Sequence, residues 1–147
     1  MTPHEPAIIV HSIDKTGWPR GAWDQEPDEM KFYDPGTKLP CVIRRLQSGA
    51  LAGYVGIDSS IPAYGKHHTH LRISVHGGLI FSAMDGSTDA VSHFDASHRW
   101  WWLGFDCDRY GDWAPTQPYY SFLTYRPWPY VHEEVGKLAK ALKDWHP

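Results

Sequence analysis

His98-Arg99-Trp100-Trp101-Trp102-Leu103-Gly104-Phe105-Asp106-Cys107-Asp108-Arg109-Tyr110-Gly111-Asp112 reads as a buried strand running into a polar terminus. Five large apolar side chains, Trp100 to Trp102, Leu103 and Phe105, stop at three carboxylates and a thiol. A strand apolar on both faces belongs inside a sheet, so the polar groups that follow it gather at one end of that sheet. The fold expected around it is α+β: one domain over residues 1–147, a mainly antiparallel sheet with a C-terminal amphipathic helix packed on one face.

Working upstream, Leu79-Ile80-Phe81-Ser82-Ala83 and the alternating Leu71-Arg72-Ile73-Ser74-Val75-His76 read as two strands joined at Gly77-Gly78, while residues 84 to 98 are rich in turn formers. Cys41 to Gln47 and Ala50 to Ile57 read as a hairpin around a two-residue turn, Ser48-Gly49. In the second of these strands Leu51, Val55 and Ile57 share a face, and Gly53 and Gly56 leave room for a close approach by backbone or ligand. Together residues 39 to 110 form a β-rich core. Residues 1 to 38 read as an extended N-terminal arm, with Ala7-Ile8-Ile9-Val10 as an edge strand and Trp18 and Trp23 docked on the body.

Downstream, residues 111 to 129 are proline-rich and irregular. Val131, Val135, Leu138, Leu142 and Trp145 then fall at spacings of four, three, four and three, which predicts a helix over residues 130 to 145. Glu133 and Glu134 early and Lys137, Lys140 and Lys143 late suit its dipole.

Composition narrows the functional classes. A chain of 147 residues buries roughly 68% of its unfolded surface and needs no staples. Cys41 and Cys107 are its two cysteines, too few for a disulfide framework and suited to a reducing, cytoplasmic compartment. A net charge of −3 with a pI near 6.3 disfavours nucleic acid as a partner. No stretch has the ~20 apolar residues of a membrane span. Eight Trp and eight Tyr supply either core or stacking surface for a planar ligand.

Three segments could carry chemistry. His67-His68-Thr69-His70 precedes His76; in an extended segment His68 and His70 point to one side and could share a divalent metal with His76, Asp106 or Asp112. Asp106-Cys107-Asp108-Arg109-Tyr110-Gly111-Asp112 begins like a calcium loop, but Tyr110 and Gln117 stand where oxygen ligands are required, which rejects an EF-hand. Cys107 with His76 and an acid such as Asp106 would make a thiol nucleophile and its base. His76-Gly77-Gly78 leaves backbone N–H groups open to an anion, although no Gly-x-Ser-x-Gly elbow accompanies it.

The stretches Gly21 to Asp28, Gly53-Tyr54-Val55-Gly56-Ile57, Tyr64-Gly65-Lys66, Val75-His76-Gly77-Gly78-Leu79, and Trp101 to Cys107 with Gly111-Asp112 resemble a family of small proteins of unassigned function in bacterial and phage genomes. The resemblance spans about residues 17 to 145 and implies no reaction. Its pattern is acidic where this chain has His67 to His70 and small where it has Asp108, which moves weight to His76, Gly77, Gly78, Asp106, Cys107, Gly111 and Asp112. A phage setting implies a protein of the host cytoplasm that captures a nucleotide signal.

Two functional readings lead. In the first the chain binds a nucleotide-like or anionic small molecule through His76, Gly77, Gly78, Trp102, Asp106, Asp112, Tyr54 and Lys66. In the second it is a hydrolase, metal-assisted through His76, Asp106 and Asp112 or thiol-based through Cys107. A third makes it an interaction protein whose Trp-rich arm, residues 17 to 33, docks on a partner; self-association is compatible with all three.

Overall fold

The structure, a computed structural model, describes residues 2–88, 91, 94, 95 and 99–147. Six strands form one antiparallel sheet in the order β1-β2-β3-β4-β6-β5: β1 Ile8–Val10, β2 Glu29–Tyr33, β3 Pro40–Arg45, β4 Leu51–Ile57, β5 Phe81–Met84 and β6 Trp101–Asp106. Helix α1, Trp128–Asp144, follows and packs chiefly on β4 and β3. No helix among the described residues is long and apolar enough to cross a membrane.

The tryptophan-rich segment lies where its composition sends it. β6 is an inner strand, paired on one side with β4 through Ile57↔Trp101 to Ala52↔Asp106 and on the other with β5. Side chains alternate across it. Leu103, Phe105 and, just past the strand, Cys107 enter a core shared with Leu51, Val55 and Ile57 of β4 and Val131, Val135, Leu138 and Leu142 of α1. Trp102 enters a second core on the opposite face with Val42, Ala52, Tyr54, Val91, Phe94 and Trp100. Both faces being covered, β4 is buried along its whole length, which explains its nearly unbroken apolar sequence. The indole N–H of Trp102 donates to Asp85 Oδ1 at 2.8 Å and that of Trp100 to Asp95 Oδ2 at 3.1 Å, so each buried ring keeps its polar atom satisfied.

Gly53 is the point of closest approach between sheet and helix. A Cβ there would lie 2.5 Å from Val135 Cγ2 and 2.8 Å from Phe105 Cε1, so the occupant its missing side chain admits is α1 and not a ligand. Gly56, on the other face, abuts Pro40, Trp100 and Trp102.

Several expectations need correction. Leu71 to His76 has the alternation of a strand yet pairs with none among the described residues: Leu71 is buried and Ile73 and Val75 pack against the helix-side core, so burial alone produces the pattern. The arm is not merely extended, because β2 lies within it and the sheet begins before residue 39. Its charges masked the strand: Glu29 and Lys31 face outward while Phe32 is buried. Trp23 docks internally against Trp113 and Tyr125, leaving it unavailable to a partner. The hairpin turn holds three residues, Gln47 to Gly49, closed by Leu46 N–H on Ala50 O at 2.7 Å, with Gly49 at φ +97° supplying the left-handed position of a bulged turn. The turn-rich stretch 84 to 98 falls partly on residues 89, 90, 92, 93 and 96–98, which with His98 lie outside the described residues.

Candidate functional site

His76 sits where the turn after Val75, the loop after β6 and the first turns of α1 meet. Gly77 and Gly78 both take positive φ, +67° and +79°, and Gly78 N–H bonds to Val75 O at 2.8 Å. The turn folds back against the β6 loop so tightly that a Cβ on Gly77 would come within 2.7 Å of Arg109 Cγ. From this position the His76 main-chain N–H donates to Glu134 Oε1 at 2.9 Å. Nε2 lies 2.8 Å from Asp112 Oδ2, and Nδ1 lies 2.7 Å from the Tyr130 hydroxyl.

The bonding fixes the proton. Asp112 is a buried carboxylate that also accepts from Arg126 Nε at 3.0 Å and the Arg109 main-chain N–H at 3.0 Å, so Nε2 carries the hydrogen it donates there. In the neutral imidazole with that hydrogen on Nε2, Nδ1 is the acceptor for the Tyr130 O–H. Burial, followed by the nearby Glu134, pushes the Tyr130 hydroxyl up from its ordinary value and keeps it a donor. The Arg126 guanidinium lies over the Tyr130 ring, 5.4 Å from its centroid. Asp106 faces Arg109 in a two-point pair at 2.8 and 3.1 Å.

His76 meets Asp112 directly, while Gly77 and Asp106 reach the group through Arg109, and the arrangement is a clamp. Both imidazole nitrogens are committed, which leaves neither for a metal or a substrate proton. Cys107 adjoins them but is sealed in the helix-side core; burial first, then Asp112 and Asp106, push its thiol far up, the opposite of an activated nucleophile. Tyr54 and Trp102 lie in the second core with 6% and 0% exposure, so they are not ligand platforms. Tyr130, Arg126 and Glu134 complete the clamp, and nothing in their local sequence marks them as partners of His76.

The histidine cluster divides instead of converging. His68–His70 is one turn of 3-10 helix, not extended chain, capped by His67 Nδ1 accepting from Thr69 N–H. His68 is tied to Ser82 Oγ by its main-chain N–H at 3.1 Å and by Nδ1 at 3.0 Å, and burial, then His67, lowers its pKa. Among the described residues no three His, Cys, Asp or Glu side chains are grouped to hold a metal ion, which removes the shared-ion geometry expected of His68, His70, His76, Asp106 and Asp112.

His70 faces a different feature. An open cleft of about 550 Å³ at the C-terminal end of α1 is lined by Lys66, His70, Arg72, Trp145, His146 and Pro147. β6 helps to position it, because the Trp101 indole N–H donates to Lys66 O at 2.9 Å, and Leu71, buried between His70 and Arg72, anchors the same wall. Lys66 Nζ stands 6.0 Å from the centroid of the Trp145 ring. The lining holds no acidic side chain, and among the described residues Lys66 and Arg72 form no ion pair. Lys66 was legible in the sequence as a candidate; Arg72, Trp145 and His146 were not, since the two walls are more than seventy residues apart in the chain.

No protein-family model, curated protein or solved structure matches the chain.

Proposed function

We propose that the chain is a small-ligand binding protein whose site is the cleft at the C-terminal end of α1, and that its ligand joins a planar ring to an anionic group, as a nucleotide does. The observation that carries this reading is an indole set beside two cations that form no side-chain ion pair among the described residues, in a chain of net charge −3. Both are exposed, and they line one concave surface together with His70 and His146.

Stacking on one aromatic ring contributes about 1 to 3 kcal/mol, and each charge-assisted hydrogen bond about 1.5 to 3 kcal/mol. One ring and two cations therefore suffice for affinities on the order of millimolar to micromolar. Binding without turnover agrees with the clamped His76 and the sealed Cys107, which deny a hydrolase its base and its nucleophile. In the phage setting that the motifs imply, the protein would hold a host nucleotide signal away from its receptor.

Titration calorimetry with adenosine triphosphate, inorganic tripolyphosphate and adenosine tests the reading. The nucleotide should bind more tightly than either part and be recovered unaltered, with Lys66→Ala and Arg72→Ala each weakening it by about tenfold. Absence of heat with all three probes, or affinity indifferent to both substitutions, refutes the assignment. Appearance of product would return the catalytic reading.

A further inference from the structure

β1 ends the sheet on one side, and no strand among the described residues lies beyond it. Natural edge strands are ordinarily guarded by shortness, an internal charge, a proline or a bulge that discourages a further strand from adding. β1, three residues long, has shortness alone: Ile8, Ile9 and Val10 carry no charge, proline or bulge, and they are 49%, 52% and 38% exposed. The main contacts of α1 are with β4 and β3, so neither face of β1 gains cover from the helix.

We infer that β1 is the contact through which two copies of this chain associate, pairing antiparallel about a two-fold axis at Ile9 and joining two six-stranded sheets into one. Across such an axis a surface meets its own image, so a charged patch repels itself while an uncharged one does not. Ala7 to Val10 carry no charge, which lets two molecules of net charge −3 meet there without opposing like groups.

The register within each sheet makes the fit specific. Ile9 pairs with Met30, Ile8 with Lys31 and Val10 with Glu29. Pairing about Ile9 therefore creates one row reading Met30, Ile9, the second copy's Ile9, and its Met30. Met30 packs against the helix-side core, so this row extends that apolar layer across the junction. The two flanking rows run from Lys31 through Ile8 to the second copy's Val10 and Glu29, which sets a cation at one end of each row and an anion at the other. β-branched side chains directly opposite each other are favourable cross-strand pairs. A three-residue strand gives a contact at the small end of interface sizes, so the association belongs to the weak, reversible class.

Sedimentation equilibrium of the full chain from about 5 to about 500 µM spans that class. Wild-type protein should pass from monomer toward dimer over this range, and Ile9→Lys, which sets two ammonium groups on the axis, should raise the dissociation constant at least about tenfold. Ile9→Cys is the second arm: mild oxidation should yield a disulfide-linked dimer, and Cys41 and Cys107, both buried, cannot supply the link. A wild-type chain monomeric at every concentration overturns the inference. So does a dimer that survives Ile9→Lys, or one abolished instead by substituting the exposed Tyr119 and Phe122 with Ser, which would place the contact on that loop.

Discussion

Replacing Arg45 with Met should cost this protein more than any surface charge could. The guanidinium, with no exposed side-chain area, donates from Nε to Asp28 Oδ1 at 2.9 Å and from Nη2 to Glu26 Oε1 at 3.2 Å and Pro27 O at 3.0 Å. Its Nη1 reaches Gly49 O at 3.0 Å and the Tyr125 hydroxyl at 2.9 Å. Five bonds thus join β3, the hairpin turn, the segment before β2 and the segment before α1. Removing one partner of a buried ion pair costs about 3 to 5 kcal/mol, because the other charge stays buried. Asp28 keeps Lys15 Nζ at 2.7 Å and the main-chain N–H groups of Ser12 and Ile13, and Glu26 keeps the Tyr125 hydroxyl and Trp128 N–H, which places the expected loss toward the lower end. At roughly 2 to 4 °C per kcal/mol for a chain of this size, the midpoint of thermal unfolding should fall by about 6 to 12 °C.

The same substitution should alter acid stability in a defined direction. Burial alone would raise the Asp28 carboxyl, but the Lys15 ammonium, the Ile13 N–H and Arg45 outweigh it and hold the pKa at about 2 against an ordinary 3.8. A depressed carboxyl stabilises the fold above the unfolded-state value and loses that contribution as pH falls through the folded-state value. Wild-type protein should therefore shed about 2 kcal/mol between about pH 4 and pH 2. Arg45→Met should shed less, since the Arg45 share has already gone while those of Lys15 and Ile13 remain. Urea unfolding of both proteins at neutral pH and at a series of acid values measures the two quantities. An Arg45→Met protein within about 1 kcal/mol of wild type, or with an unchanged acid profile, would show that the network is not an anchor.

Three further outcomes follow from the packing and the clamp. Gly53→Ala should destabilise by about 1 to 3 kcal/mol in urea unfolding, because its Cβ would press on Val135 and Phe105, both fully buried, with no room to yield. Long-range proton–nitrogen spectra should find neutral His76 as the Nε2–H tautomer, and Tyr130→Phe, which strips the donor from Nδ1, should cost about 1 to 2 kcal/mol while leaving that tautomer in place. Both thiols should resist an aromatic disulfide reagent in native protein and react only on unfolding; rapid labelling of Cys107 would contradict the sealed position described for it.

Legibility followed the distance over which each signal acts. The apolar stripe Val131, Val135, Leu138 and Leu142 defined α1 because a helix sorts its own faces at short range, and all four side chains are fully buried. The run through Trp101 and Phe105 announced an inner strand because only a strand covered on both sides can hold such residues. The same rule misled at Leu71 to Val75, where alternate burial arises from loop packing without a partner strand, and at β2, where outward charges obscured the alternation.

The sequence by itself determined the α+β class, the hairpin and the helix, since each is written in local periodicity or in a compact motif, and it singled out the His-Gly-Gly turn and the acids that end β6 without showing that they meet. Tertiary structure alone decided what those groups can do. It engaged both nitrogens of His76 through Asp112 and Tyr130, sank Cys107 into the core, and drew Lys66 and Arg72 from mid-chain together with Trp145 near the C-terminus. Burial, hydrogen-bond partners and charge surroundings are properties of positions in space, and residues far apart in the chain acquire them only when the sheet and helix close on each other.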